Sequence, residues 1–108
     1  MSFQHAKQRM IKDITIDNER IQVTGYIKSK IDDNQIILDD KTGQIKVILI
    51  SIDKFEFKEN DLINVIGDLE FKSSGEKVIT ADIIQEMNKL NFEYYQKLYQ
   101  MKKELDLK

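Results

Sequence analysis

Few side chains in this sequence could carry out catalysis. His5 is the only histidine, it lies in a stretch without hydrophobic periodicity, and there is no cysteine. A Ser–His–Asp triad, a histidine acid–base pair, and a zinc site built from thiolates or imidazoles therefore all lack essential groups. Two carboxylate pairs, Asp32–Asp33 and Asp39–Asp40, stand in turn-like segments, where aspartate is common for structural reasons. We predict a protein that is not an enzyme and that has no catalytic residue, metal, cofactor or small-molecule substrate.

Nucleic-acid binding is the other chemistry that the side chains offer. Lysine ammonium groups contact phosphates, and aromatic rings stack on bases at about 1–3 kcal/mol per base. The candidates are Tyr26, Lys28, Lys30, Lys46, Phe71, Lys72 and Lys77. The ordinary alternatives are that each lysine is simply solvated and that both rings pack in the core. The chain has a net charge of −2, so binding would depend on a local basic patch.

The segment from Arg20 to Asp40 contains the first elements that could position these side chains. Apolar and polar residues alternate in its first half, which is the period of a strand with one buried face. Gly25 interrupts this strand and predicts a bulge or sharp bend, as a strand needs in order to join two sheets of a small barrel. A turn over residues 32–34 and a shorter strand over residues 35–39 complete a hairpin.

Three further strands follow with the same alternation. They are predicted over residues 44–51, 62–71 and 77–84. Gly67 lies in the middle of the fourth strand as Gly25 does in the first, and we expect Phe55 or Phe57 of the intervening loop to plug the barrel floor. Five strands with such glycines favour a closed barrel, because a sandwich would need about seven short strands.

The predicted fold is therefore mainly β, a five-stranded OB-fold barrel with a C-terminal α-helix. We place a loose N-terminus at residues 1–8, the barrel at residues 9–90 and a C-terminal interaction helix at residues 91–108. In an OB-fold, single-stranded nucleic acid crosses strands two and three between two flanking loops. The candidate lysines fall on those loops and on the third strand, although acidic turns beside them weaken the positive field.

The C-terminal helix carries two apolar stripes. Asn91 is a suitable N-cap, and the following residues are good helix formers. One stripe contains Tyr94, Leu98, Met101 and Leu105, and the other contains Phe92, Tyr95 and Tyr99. Both stripes could form one broad face against the barrel. Alternatively, one stripe packs on the barrel or a partner while the other contacts a partner helix, which three tyrosines favour.

Four segments in order, "IQVTGYIKSK", "IILDDKTGQIKV", "DLINVIGDLE" and "ITADIIQEMNKLNFEYYQKLYQ", resemble the small single-OB-fold subunits of the replication protein A (RPA) family. The resemblance covers residues 9–105. It implies one barrel and a C-terminal helix that bundles with the helices of two other subunits into a trimer. It also extends to the telomere-capping CST complex and telomerase-associated trimers. Larger DNA-binding members present pairs of stacking aromatics, whereas this chain offers only Tyr26 and Phe71.

Two functions from different classes follow. The first is an assembly subunit of an RPA-like single-stranded-DNA-binding complex in replication, repair or telomere maintenance, with other OB-fold subunits as partners and at most weak DNA contact of its own. Its partner interface would be Phe92, Tyr94, Tyr95, Leu98, Tyr99, Met101 and Leu105. The second is a free-standing OB-fold protein that binds single-stranded DNA or RNA through the lysine groove. An RNA-binding accessory module, such as a tRNA-binding one, is a third alternative.

The expected location is intracellular. No apolar run reaches the roughly 18 residues of a membrane span, and no signal peptide is visible. The resemblance implies the nucleus, at chromosomes or telomeres, for a eukaryotic source, and the cytoplasm or nucleoid for an archaeal one.

Overall fold

The computed structural model describes residues 6–15 and 19–106, with the side chain of Asp106 excepted. The elements are β1 (Lys7–Gln8), a 3-10 helix (Ile11–Asp13), β2 (Arg20–Asp32), β3 (Gln35–Asp39), β4 (Gln44–Ile48), β5 (Leu62–Phe71), β6 (Lys77–Glu86) and α1 (Phe92–Asp106). This order confirms the predicted mainly β fold with a C-terminal helix. Within the described ranges, no helix has the length and apolar character needed to cross a membrane.

Strands β2 to β6 close into a barrel. β2 pairs antiparallel with β3, β3 with β4, and β5 with β6, while β4 and β6 run parallel. β2 also pairs antiparallel with β5, which joins the two ends of the sheet. This is the five-stranded OB-fold topology that the alternation predicted.

Alternate side chains of the five strands fill the barrel interior. In β3, for example, Ile36 and Leu38 are fully buried while the other three residues of the strand are only partly buried. Each such aliphatic side chain stabilises the fold by about 1.5–3 kcal/mol through loss of its contact with water. Phe55 and Phe57 lie in the loop between β4 and β5 and pack against this core, partly buried; that either one closes the barrel floor stays a prediction.

Two mid-strand glycines allow neighbouring backbones to come close. A Cβ atom on Gly25 would lie 2.8 Å from the carbonyl oxygen of Asp39, at the point where β2 pairs with both β3 and β5. A Cβ atom on Gly67 would lie 2.1 Å from the carbonyl oxygen of Thr80. The prediction of a bulge at Gly25 was wrong in position, since the register of β2 against β3 shifts after Ile27. Gly25 instead permits close packing of three strands.

The segment before the barrel is more ordered than the sequence indicated. Residues 1–8 were predicted to be loose; residues 1–5 lie outside the described residues, whereas Lys7 and Gln8 form β1, which pairs in parallel with β2. The 3-10 helix follows, and its Ile11 side chain is buried in the core together with Ile14. A two-residue strand has too few positions to show alternation, which is why the pattern missed it.

Asp40 holds three parts of the chain together. The residue is 2% exposed, and its carboxylate accepts hydrogen bonds from the Ile11 backbone N–H at 2.8 Å and from the Thr42 N–H and hydroxyl at 2.9 and 2.6 Å. Its carbonyl oxygen accepts a hydrogen bond from the Gln96 side chain on α1 at 2.6 Å. Asp40 therefore has a structural role, as the sequence predicted for both aspartate pairs.

Candidate partner and nucleic-acid interfaces

The helix α1 begins as its sequence predicts. The side-chain oxygen of Asn91 accepts a hydrogen bond from the Tyr94 backbone N–H at 3.0 Å. This bond satisfies one of the N–H groups that a helix start leaves without a partner, so Asn91 is the N-cap.

One face of α1 is anchored to the chain's own barrel by aromatic rings. Phe92 is 6% exposed, and its ring meets that of Tyr26 edge to face at 5.2 Å between centroids. Tyr95 stacks on Phe92 at 5.9 Å, and its hydroxyl accepts a hydrogen bond from the side chain of Gln8 in β1. Aromatic pairs of this kind contribute about 0.5–1.5 kcal/mol each beyond the area they bury. The N-terminal half of α1 therefore packs on β1 and β2.

The C-terminal half of the same face is held by Asp13. The Tyr99 hydroxyl donates a hydrogen bond to this carboxylate at 3.0 Å, and the Lys103 ammonium donates another at 2.8 Å. Burial opposes ionisation of Asp13, but these bonds and the charges of Lys103 and Lys12 outweigh it and lower its pKa below the usual 3.8. Burial, with the adjacent carboxylate, raises the pKa of Tyr99. Asp13 is thus ionised at neutral pH and holds this half of the helix in place through Tyr99 and Lys103. We call this set of contacts the Asp13 clasp.

The opposite face of α1 is exposed. Tyr94, Leu98, Met101 and Leu105 form one stripe and are between 47% and 66% exposed. The structure therefore separates the two predicted stripes: Phe92, Tyr95 and Tyr99 contact the chain's own barrel, while the other four predicted partner residues remain accessible. The alternative of one broad face packed on the barrel is wrong, because no described part of the chain covers this stripe. We call these four residues the outer stripe.

The predicted lysine groove is largely neutralised by nearby groups. Lys46 pairs with Glu76 at 3.3 Å, and Lys72 pairs with Glu70 at 3.0 Å. The ammonium of Lys77 donates to the Ile14 carbonyl at 2.8 Å. Binding phosphates here would require these contacts to be exchanged.

The aromatic candidates and Lys30 lie in cation–π or ring contacts. The Lys77 ammonium lies 5.6 Å from the centre of the Phe71 ring, and that of Lys30 lies 5.4 Å from the centre of Phe55. Tyr26 contacts Phe92 and has Lys41 over its ring at 5.3 Å. Lys28 is exposed. A nucleic-acid role for these seven residues stays a prediction.

A second basic site lies outside the groove, and the sequence patterns did not indicate it. A cleft of about 470 Å³ separates β1 from the C-terminal half of α1, and Gln22 of β2 contributes to its lining. Its positively charged residues are Lys7, Arg9, Lys102 and Lys103. These come from opposite ends of the chain, so only the folded structure brings them together. We call this site the basic cleft.

The described residues offer no arrangement for metal chemistry. Within residues 6–15 and 19–106, no three histidine, cysteine, aspartate or glutamate side chains are grouped so that they could hold a metal ion. His5, the one candidate for imidazole chemistry, lies outside the described residues. What the described residues present instead are two accessible surfaces, an apolar one on α1 and a basic one beside it.

Comparison with known proteins decides the family. Residues 5–106 match the sequence model of the telomere-capping subunits of the CST complex. The chain belongs to this family. The resemblance to small RPA-like OB-fold subunits is thereby confirmed, and the family is one of telomere-capping OB-fold binding subunits, which are generally non-enzymatic. No sequence among curated proteins matches the chain.

Solved structures show the same fold at low sequence identity. A chain of the S. pombe Stn1–Ten1 complex superposes with a TM-score of 0.80 and 14% identity, over 95% of this chain and 96% of that one. The telomere-capping protein Ten1 from Saccharomyces pombe gives 0.77 and 14%, over 93% and 99%. The second OB-fold domain of replication protein A from Methanococcus maripaludis gives 0.59 and 21%, over 78% and 98%. The match to the two yeast structures extends over more of the chain than the match to the archaeal domain.

Proposed function

We propose that this protein is a non-catalytic assembly subunit that joins another OB-fold subunit of a CST-type complex through the outer stripe of α1. The observation that carries the proposal is the exposure of Tyr94, Leu98, Met101 and Leu105 on a helix whose other face is fixed. Contiguous apolar patches of this kind on a soluble domain mark protein interfaces. Similarity to a chain of the Stn1–Ten1 complex supports an OB-fold partner.

The way α1 is held supports a helix-to-helix contact. The rings of Phe92 and Tyr95 and the Asp13 clasp fix the helix at both ends, so it keeps one orientation without a partner. A pre-oriented helix loses little conformational entropy on binding. The stripe contains one tyrosine and three flexible aliphatic side chains, which can interdigitate with the apolar stripe of a second helix.

The test is binding of a Stn1-type OB-fold subunit from the same genome to the double variant Leu98→Glu/Met101→Glu. Hot-spot residues contribute about 2 kcal/mol or more each, so we expect affinity to fall about 1,000-fold. The control is Ile50→Glu, which adds a charge at an exposed apolar residue outside α1. Titration calorimetry measures both. Unchanged affinity in the double variant, or an equal loss in Ile50→Glu, contradicts the proposed interface.

Two further aspects belong to this proposal. Direct contact with single-stranded DNA through the OB-fold groove is weak, because Lys46 and Lys72 are paired with glutamates. The same pairs count against the free-standing nucleic-acid binder that works through this groove. In a eukaryotic cell, a subunit of this family acts in the nucleus at chromosome ends.

A further inference from the structure

The basic cleft concentrates positive charge in a protein that is acidic as a whole. The net charge of the chain is −2. Its described lining residues nevertheless include four cationic side chains and no carboxylate. A local field of this sign attracts anions even where the global charge does not.

Two of the four cations are fixed by ion pairs and two are available. Arg9 binds the carboxylate of Glu19 through two hydrogen bonds of 3.0 and 3.1 Å, and Lys103 is held by Asp13. Within the described part of the chain, Lys7 and Lys102 form no ion pair, and both are exposed. Among the residues that the structure describes, four cations against two carboxylates leave two positive charges without a counter-charge, one on each wall.

The other groups in the cleft are polar, flat and held in place. Tyr99 is oriented by its bond to Asp13, and the Gln22 amide donates to the Ala6 carbonyl at 3.1 Å. Gln22 also accepts a hydrogen bond from the Asn64 amide at 3.0 Å, so its side-chain plane is fixed. Amides and a phenol ring beside cations are the groups that contact bases and sugars next to phosphates.

We propose that the basic cleft binds the phosphodiester backbone of single-stranded nucleic acid, with Lys7 and Lys102 as the phosphate contacts. A cleft of about 470 Å³ has the size of a small-ligand site, which suits a nucleotide segment of one strand and not a duplex. The site is separate from the OB-fold groove. Its lining residues are different from those of the outer stripe, so the proposal does not rest on the proposed assembly role.

The experiment compares three double variants of the full chain, each of which removes two positive charges. Lys7→Gln/Lys102→Gln changes the cleft, and Lys46→Gln/Lys72→Gln changes the groove. Lys58→Gln/Lys89→Gln changes two exposed lysines that line neither. Fluorescence anisotropy of a labelled oligo-dT, measured over a range of salt concentrations, gives the affinity and its salt dependence. Thermal melting checks that each variant is folded.

Only the cleft variant should lose binding strongly. Each lysine–phosphate contact contributes about 0.7 to the slope of log K against log salt for single strands, so the slope should fall by about 1.4, or about 25-fold in affinity at 0.1 M salt. Amide resonances of Gln8 and Gln22 should shift on titration of the wild-type protein with oligo-dT.

Several results would overturn the proposal. They are an absence of oligo-dT binding by the wild-type protein, an equal loss in the Lys58/Lys89 variant, and a larger loss in the Lys46/Lys72 variant. If a polyglutamate peptide displaces oligo-dT when both are present at the same concentration of negative charges, the cleft binds acidic protein segments instead. None of these outcomes depends on the variants of the outer stripe, so failure of the cleft and failure of the assembly role are distinguished.

Discussion

Replacement of Asp40 tests whether a single buried carboxylate organises the segments around the site. Asp40→Ala leaves the buried Ile11 N–H and the partly buried Thr42 N–H without their acceptor. An unpaired buried donor costs about 1–3 kcal/mol, and a partly buried one lies at the low end because water can reach it. We therefore expect the free energy of unfolding to fall by about 3 kcal/mol, out of the total of about 5–15 kcal/mol typical of a domain.

A conservative variant and a neighbouring residue make this prediction specific. Asp40→Asn keeps one acceptor oxygen but turns an NH₂ group toward a donor, so its loss should be about half that of alanine, roughly 1.5 kcal/mol. Asp39→Ala removes two exposed hydrogen bonds, to the Lys41 N–H and the Gln44 amide, and should change stability by about 0.5 kcal/mol.

Urea unfolding followed by circular dichroism measures all three variants against the wild-type protein, with the m-value checking that the same surface is exposed. The reasoning is refuted if Asp40→Ala stays within about 0.5 kcal/mol of the wild type or loses no more than Asp39→Ala.

Two further predictions concern the barrel and the helix clasp. Gly67→Ala would place a Cβ atom 2.1 Å from the Thr80 carbonyl oxygen, so β5 and β6 must separate. The melting temperature should fall by more than 10 °C, since each kcal/mol of lost stability lowers it by about 4–8 °C. A melting curve equal to that of the wild type would contradict this close approach. The lowered pKa of Asp13 stabilises the folded state fully above the unfolded value of 3.8, and this contribution is lost as the pH falls through the lower folded value. The stability difference between the wild type and Asp13→Asn in urea should therefore be present at pH 7, decline as the pH falls below 3.8 and vanish below the lowered folded pKa. A difference that persists there would show that the hydrogen bonds from Tyr99 and Lys103 do not depend on the charge.

The alternating segments of the sequence were sufficient to predict the barrel. β5 has the predicted bounds of Leu62–Phe71, because a long half-buried strand shows its period clearly. β4 ends at Ile48, earlier than predicted, and β6 continues to Glu86. Such boundaries depend on which neighbour a strand still reaches, and this is not encoded in the strand itself.

The candidate site was only partly predictable. Both stripes of α1 could be read from the helical period, but their division depends on tertiary partners. Phe92 faces inward because Tyr26 lies beneath it, and Tyr99 does so because Asp13 lies within hydrogen-bond distance. The ion pair of Lys46 with Glu76 joins a strand to a distant loop. No pattern along one element contains that information.

The contacts between the N-terminal segment and α1 determine at which stage of folding the outer stripe reaches its final position. Asp13 is separated from Tyr99 and Lys103 by 86 and 90 positions, and Gln8 from Tyr95 by 87. Contacts that close such long loops form after the local strand pairs, because the chain must first lose most of its entropy in the barrel. The helix is therefore positioned late in folding, and an unfinished barrel leaves it undocked. If assembly takes place through this helix, only completely folded subunits would therefore join the complex.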